Sequence, residues 1–194
     1  VCCNDEPHVH AHNNIAEHSH GHDGHAKSHS EHSHAHMHEH RSFAQIREII
    51  EKSSLSEYVK KNSIAIFGTL AEAEAKVHGK SVDDVHFHEV GATDSIIDIV
   101  GAAVCAEILG VDNFAASSVE LGGGTVRCQH GVMPVPAPAT AIIAEKFPVK
   151  LGGAPHECTT PTGAAIIATL CGSYNPKISG KIAATGIGVG HRDC

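Results

Sequence analysis

The sequence predicts a mixed α/β (α+β) fold in which short strands pack against apolar helices, preceded by a disordered His-rich segment. Three observations predict it. Apolar residues recur at helical spacing after Ser42, Ser56 and Thr160, residue types that cap helix N-termini. Short apolar runs bounded by glycine or proline lie between them, at residues 114–121 and 149–151. Aromatic residues make up only 4% of the chain and Trp is absent, so a core of Ile, Val, Ala and Leu is expected.

Residues 1–40 carry His8, His10, His12, His18, His20, His22, His25, His29, His32, His34, His36, His38 and His40 among Ser, Gly, Ala and acidic residues. Such a composition buries too little apolar surface to offset the entropy of ordering. Imidazole suits Ni, Zn, Cu and Fe, and a flexible tract of weak sites can hold several ions. Protonation at about pH 6.5 would release them.

A globular domain is expected over residues 41–194. Ser42-Phe43-Ala44-Gln45 fits a capping box, followed by the apolar stripe Ile46, Ile49 and Ile50. Ser56 can cap a second helix running to about Val77, stopped by His78-Gly79. Residues 81–85 read as a turn.

The stretch HFHEVGATDSIIDIVGAA, residues 86–103, carries the chemistry most densely. Extended backbone at His86–Val90 would put His86 and His88 on one face, beside Glu89. A helix opening at Thr93 would stack Asp94 and Asp98 on one side. Ile96, Ile97, Ile99, Val100, Ala103 and Val104 make that helix apolar almost all round, the pattern of a buried helix ending at Leu109-Gly110. A carboxylate at Asp98 would then need a partner or a cation. Two readings stand: Asp94 favoured by the helix dipole with the histidines satisfied by backbone, or an N/O ligand set for a divalent metal or metal-borne nucleotide.

A strand over Phe114–Leu121 leads into Gly122-Gly123-Gly124, which suits either a plain turn or the approach of backbone N–H groups to a phosphate. TVRCQHGVMPVPAP reads as a proline-stiffened loop presenting Arg127, Cys128 and His130. Residues 139–146 suggest a short helix and residues 149–151 a strand. Thr160 as N-cap and Pro161 at N1 open an apolar helix through Leu170. Its N-terminus, with Thr159, Thr162 and Gly163, is a credible anion cradle, and Glu157 before it could hold a cation. Residues 178–189 read as a strand running into GIGVGHRD.

The function classes are narrowed by charge and cysteine usage. A formal net charge of −8 leaves no electrostatic footprint for nucleic acid. No apolar run is long enough to span a bilayer and no signal peptide is visible, so neither a membrane nor a nucleic-acid partner is expected. Seven cysteines are an odd number whose spacings suit neither a disulfide framework nor a zinc ribbon. Cys105 and Cys171 are expected as buried thiols, and a reducing, cytoplasmic setting follows.

With HFHEVGATDSIIDIVGAA, RCQHGVMPVPAPAT, TTPTGAA and GIGVGHRD in order, the chain resembles the LarC family of nickel-insertion proteins from about Arg41 to its end. The resemblance implies insertion of Ni(II) into pyridinium-3,5-bisthiocarboxylic acid mononucleotide, with two Ni–S bonds and one Ni–C bond formed. The product is the nickel-pincer cofactor of lactate racemase, which is then a possible acceptor partner. It also implies CTP, with Mn(II) or Mg(II) accompanying it. The family's Asp-Cys-x-x-Gly-type strand and its second domain are not in this chain, so a fragment is expected.

On that substrate, His86, His88, Glu89, Asp94 and Asp98 are candidate metal ligands, with Arg127, Thr159, Thr160 and Gly163 at the phosphate. His130 or Glu157 is the candidate base for the ring proton. A homo-oligomer is expected. Two other functions remain open: nickel or zinc storage and delivery through the His-rich tract, and metal-dependent phosphohydrolysis.

Overall fold

The computed structural model describes residues 41–87, 93–128 and 131–188. The chain divides into two units, one of them residues 36–178 and the other residues 1–35 with 179–194. In the second unit, described residues 179–188 form neither helix nor strand. The larger unit is mixed α/β.

Its elements begin with α1 (Phe43–Lys52), where Ser42 and Gln45 make the reciprocal capping box. Helix α2 (Glu57–His78) starts at Ser56, whose hydroxyl accepts from Val59 N, and ends at Gly79 in the left-handed conformation. Both ends fall where the sequence signals stand. The Ser56 hydroxyl also donates to Glu107 Oε1 at 2.5 Å, tying the start of α2 to the end of α3 (Thr93–Leu109).

Helix α2 is the hub, packed against α1, α3, α4 (Pro138–Ala144) and α5 (Pro161–Leu170). Val59, Ser63, Ile66, Phe67, Leu70, Ala71 and Ala73 are all buried along it, too wide a set for a single stripe. Phe67 meets Phe87 with ring centroids 6.0 Å apart. Phe87 arrives in extended chain, with Val85 and Phe87 buried and His86 between them exposed and bridged to Ser42. The two-residue period thus divides core from surface here.

Three two-stranded sheets complete the unit. Strand β1 (Phe114–Ala116) pairs parallel with β6 (Cys171–Tyr174), and β2 (Val119–Glu120) pairs parallel with β5 (Val149–Lys150). Strands β3 (Thr125–Cys128) and β4 (Gly131–Pro134) form an antiparallel pair.

Several expectations are corrected. The single strand over Phe114–Leu121 is two strands with different partners. At the break, Ser118 N donates to the Asn175 side chain rather than to a ladder. The Pro-rich loop is a strand pair: Pro134 closes β4 and Pro138 opens α4, places where a missing N–H is tolerated. No strand forms over described residues 178–188, where Ile178, Ile182 and Ile187 are exposed.

Helix α3 is not buried all round. Ser95, Ile99, Ala103 and Ala106 face inward, whereas Ile97 and Ile108 are 65% and 78% exposed. Among described helices only α2 and α5 pack substantially on it, so an apolar sequence supplies just one buried stripe. Asp98 is exposed and escapes the desolvation expected for it. Cys105 is likewise exposed, and Cys171 is only half-buried.

Candidate functional site

A cleft of about 450 Å³ opens where α3, the β3–β4 pair and the start of α5 converge. That volume lies in the range of small-molecule sites. Ser95 and Asp98, one helical turn apart, come from α3. Val126 and Met133 come from the strand pair, and Ala137 from the segment leading into α4. Glu157, Thr160, Pro161, Thr162, Gly163 and Ile166 form the remaining side.

The segment carrying Glu157 is held by the glycine triplet. Gly122 and Glu157 form an isolated antiparallel bridge. Gly123 N donates to His156 O at 3.2 Å, Cys158 N to Leu121 O at 3.2 Å, and Gly152 N to Gly122 O at 2.9 Å. Gly122 has φ +85°, and a Cβ there would stand 1.9 Å from His156 O. Only glycine accommodates that backbone and that contact. Of the two readings of the triplet, the structure supports the turn: its Gly122 and Gly123 N–H groups are committed to Glu120 and His156.

Glu120 closes the clasp from the other side. Its Oε1 accepts from Gly122 N at 2.8 Å and from Gly153 N at 3.1 Å. Its backbone carbonyl accepts from the hydroxyl of buried Thr159 at 2.7 Å. Thr160 then caps α5 by accepting from Gly163 N, with Pro161 in the first turn. The clasp therefore holds the segment carrying Glu157 and the start of α5 together.

Five of the residues predicted from sequence meet in this cleft: Asp98, Glu157, Thr160, Thr162 and Gly163. Thr159 lies behind it, its hydroxyl donated to Glu120. Arg127 lies on β3 next to Val126, exposed and outside the cleft lining, because successive strand residues face opposite ways. His86 is exposed beside Ser42 and Asp94 is exposed at the start of α3, neither lining the cleft. His88, Glu89, His130 and the histidines of residues 1–40 lie outside the described residues.

Among the described residues, no group of three or more His, Cys, Asp or Glu side chains is arranged to hold a metal ion. Sequence reasoning missed the apolar lining, Val126, Met133, Ala137 and Ile166. The alternation of TVRC and GVMP was available as a signal, but the prolines masked it.

Fold and site thus define a mixed α/β chain with a cleft of small-molecule size whose lining includes two carboxylates. The chain belongs to the nickel insertion protein family, whose family model matches residues 6–194. A relative from Akkermansia muciniphila, named pyridinium-3,5-bisthiocarboxylic acid mononucleotide nickel insertion protein, is 58% identical over 151 residues, 78% of this chain and 37% of the relative. A relative of the same name from Clostridium acetobutylicum is 55% identical over 148 residues, 76% of this chain and 35% of the relative. One from Wolinella succinogenes, named putative nickel insertion protein, is 49% identical over 152 residues, 78% of this chain and 38% of the relative. The chain spans little more than a third of the length of these relatives. No solved structure matches it. No helix among the described residues is long and apolar enough to cross a membrane.

Proposed function

We propose that this chain takes part in inserting Ni(II) into pyridinium-3,5-bisthiocarboxylic acid mononucleotide. The observation that carries the reading is the meeting of Asp98 and Glu157, from separate elements, on one small-molecule cleft. Nickel is cargo in this reaction. A closed cage of protein ligands would hold the ion too tightly to pass on, whereas two carboxylates leave positions for the substrate's own donors. The relatives' names supply the identity of that substrate.

In this reading Asp98 presents the ion to the thiocarboxylate sulfurs. Glu157 takes the ring C–H proton as the Ni–C bond forms, a general-base role that the clasp would hold in place. Thr160, at the start of α5, meets the phosphate. The His-rich tract supplies nickel from many weak sites.

CTP is the co-substrate, and its metal is Mn(II) or Mg(II). The oxygen donors of the cleft, carboxylates and threonine hydroxyls, fit such hard ions. The reading makes the chain part of a cytoplasmic nickel chelatase of the lyase class, acting as a homo-oligomer with lactate racemase as acceptor.

The test is incubation of the chain with Ni(II), CTP and the thiolated mononucleotide, followed by mass spectrometry for the nickel isotope pattern on the nucleotide. A nickel-bearing product bears the proposal out. Nickel binding with the nucleotide left unmetallated would favour storage and delivery. CTP hydrolysis without any need for the mononucleotide would favour a phosphohydrolase.

A further inference from the structure

The sequence pointed to ligand-holding groups on the cleft, and the structure adds an apolar side to it. Val126 and Met133 are direct partners in the β3–β4 register. Both are half-buried, while Thr125, Arg127, Val132 and Pro134 beside them are exposed. Strand alternation therefore turns this one cross-strand pair into the cleft. Ala137 and half-buried Ile166 extend the same apolar surface from two further elements. Ser95, Asp98, Glu157 and the threonines supply the polar lining.

A hydrated metal ion has no use for an apolar wall, and a sugar phosphate has little. The oxygens of a triphosphate have no use for an apolar wall either, and among the described residues the lining offers them no Lys or Arg. A flat aromatic ring with polar edges and a positive charge meets both kinds of surface. A thioether such as that of Met133 makes favourable contacts with aromatic rings.

We infer that the pair Val126–Met133, with Ile166, forms a slot for the pyridinium ring of the substrate, making these three side chains specificity-determining residues. The inference rests on the proposed nickel-insertion reading for the identity of the ring. It does not require that insertion take place. Anionic substituents on the ring would be repelled by Asp98 and Glu157 until a cation bridges them, so ring binding and metal loading share the cleft.

The chain has two methionines, Met37 in the His-rich tract and Met133 in the cleft, so selective methyl labelling reports the site directly. The intact chain is titrated with nicotinamide mononucleotide, a pyridinium mononucleotide whose ring carries an uncharged carboxamide, without nickel. A saturable ring-current shift of the Met133 methyl, with Met37 unmoved, is the expected result; ribose 5-phosphate leaves Met133 where it was. Val126→Asp weakens the apparent affinity about tenfold or more by replacing apolar contact with charge. Val132→Thr, on the outward face of the same pair, leaves it unchanged. Helical circular dichroism confirms that both variants are folded.

An unmoved Met133 at saturating probe, or an equal shift with ribose 5-phosphate, overturns the slot. A saturable Met133 shift in a chain that inserts no nickel leaves the slot standing and removes the functional reading. Nickel insertion with a silent Met133 does the reverse.

Discussion

Gly122 and Glu157, separated in sequence by three strands, a helix and several turns, pair as an isolated bridge that seats one wall of the cleft on the glycine triplet. The contact is close enough that any side chain at position 122 would collide with the His156 carbonyl. Gly122→Ala is therefore expected to destabilise the fold by at least about 1–3 kcal/mol from backbone strain alone. Chemical denaturation reads the loss, and proteolysis near residues 152–158 should quicken as the clasp opens.

Gly101 provides the contrast. It sits in α3, and a Cβ there meets nothing within 4 Å. Gly101→Ala should stabilise the chain by about 1 kcal/mol through helix propensity. A shift of the denaturation midpoint in the opposite direction to that of Gly122→Ala is the expected outcome.

Thr159 donates its buried hydroxyl to the Glu120 carbonyl. Thr159→Val keeps the shape and removes the donor, and should cost about 1–3 kcal/mol by leaving that carbonyl without this bond. Stability then falls without any change in the chemistry of Glu157. A loss of nucleotide binding with stability unchanged would instead give Thr159 a direct ligand role.

The Cys171 thiol is pushed above its ordinary value of 9.0 by burial. An acid whose folded value is raised stabilises the native state below its unfolded value and loses that contribution as pH rises through the folded one. Unfolding free energy should thus decline as pH climbs above 9.0, and Cys171→Ala should flatten the first part of that decline. Tyr174, raised by burial and by the neighbouring Cys171, adds to the fall at higher pH. At neutral pH, alkylation should reach exposed Cys105 and Cys158 before Cys171.

Local signals were legible in the sequence wherever one residue type settles the geometry. Ser42, Ser56, Gly79, Thr160 and Pro161 mark helix ends where they stand. What depends on distant partners was not legible. The apolar run of α3 says nothing of how many neighbours it will meet, so Ile97, expected inside, lies outside. The break between Ala116 and Val119 depends on Asn175, far along the chain, whose side chain takes the Ser118 N–H. At the site, Asp98, Glu157, Thr160, Thr162 and Gly163 are legible from their chemistry and spacing. Their shared cleft, and its Val126–Met133 side, emerge only once β3 and β4 are paired.

The most direct measurement is the rate at which Ni(II) enters the thiolated mononucleotide in the presence of CTP, for the unaltered chain beside Asp98→Asn and Glu157→Gln. Both substitutions keep size and remove charge at the cleft. The account predicts that each lowers the rate by about a hundredfold or more, the scale of a lost acid–base or charge-stabilising group, with helix content unchanged. Nickel insertion at the unaltered rate in both variants would contradict it.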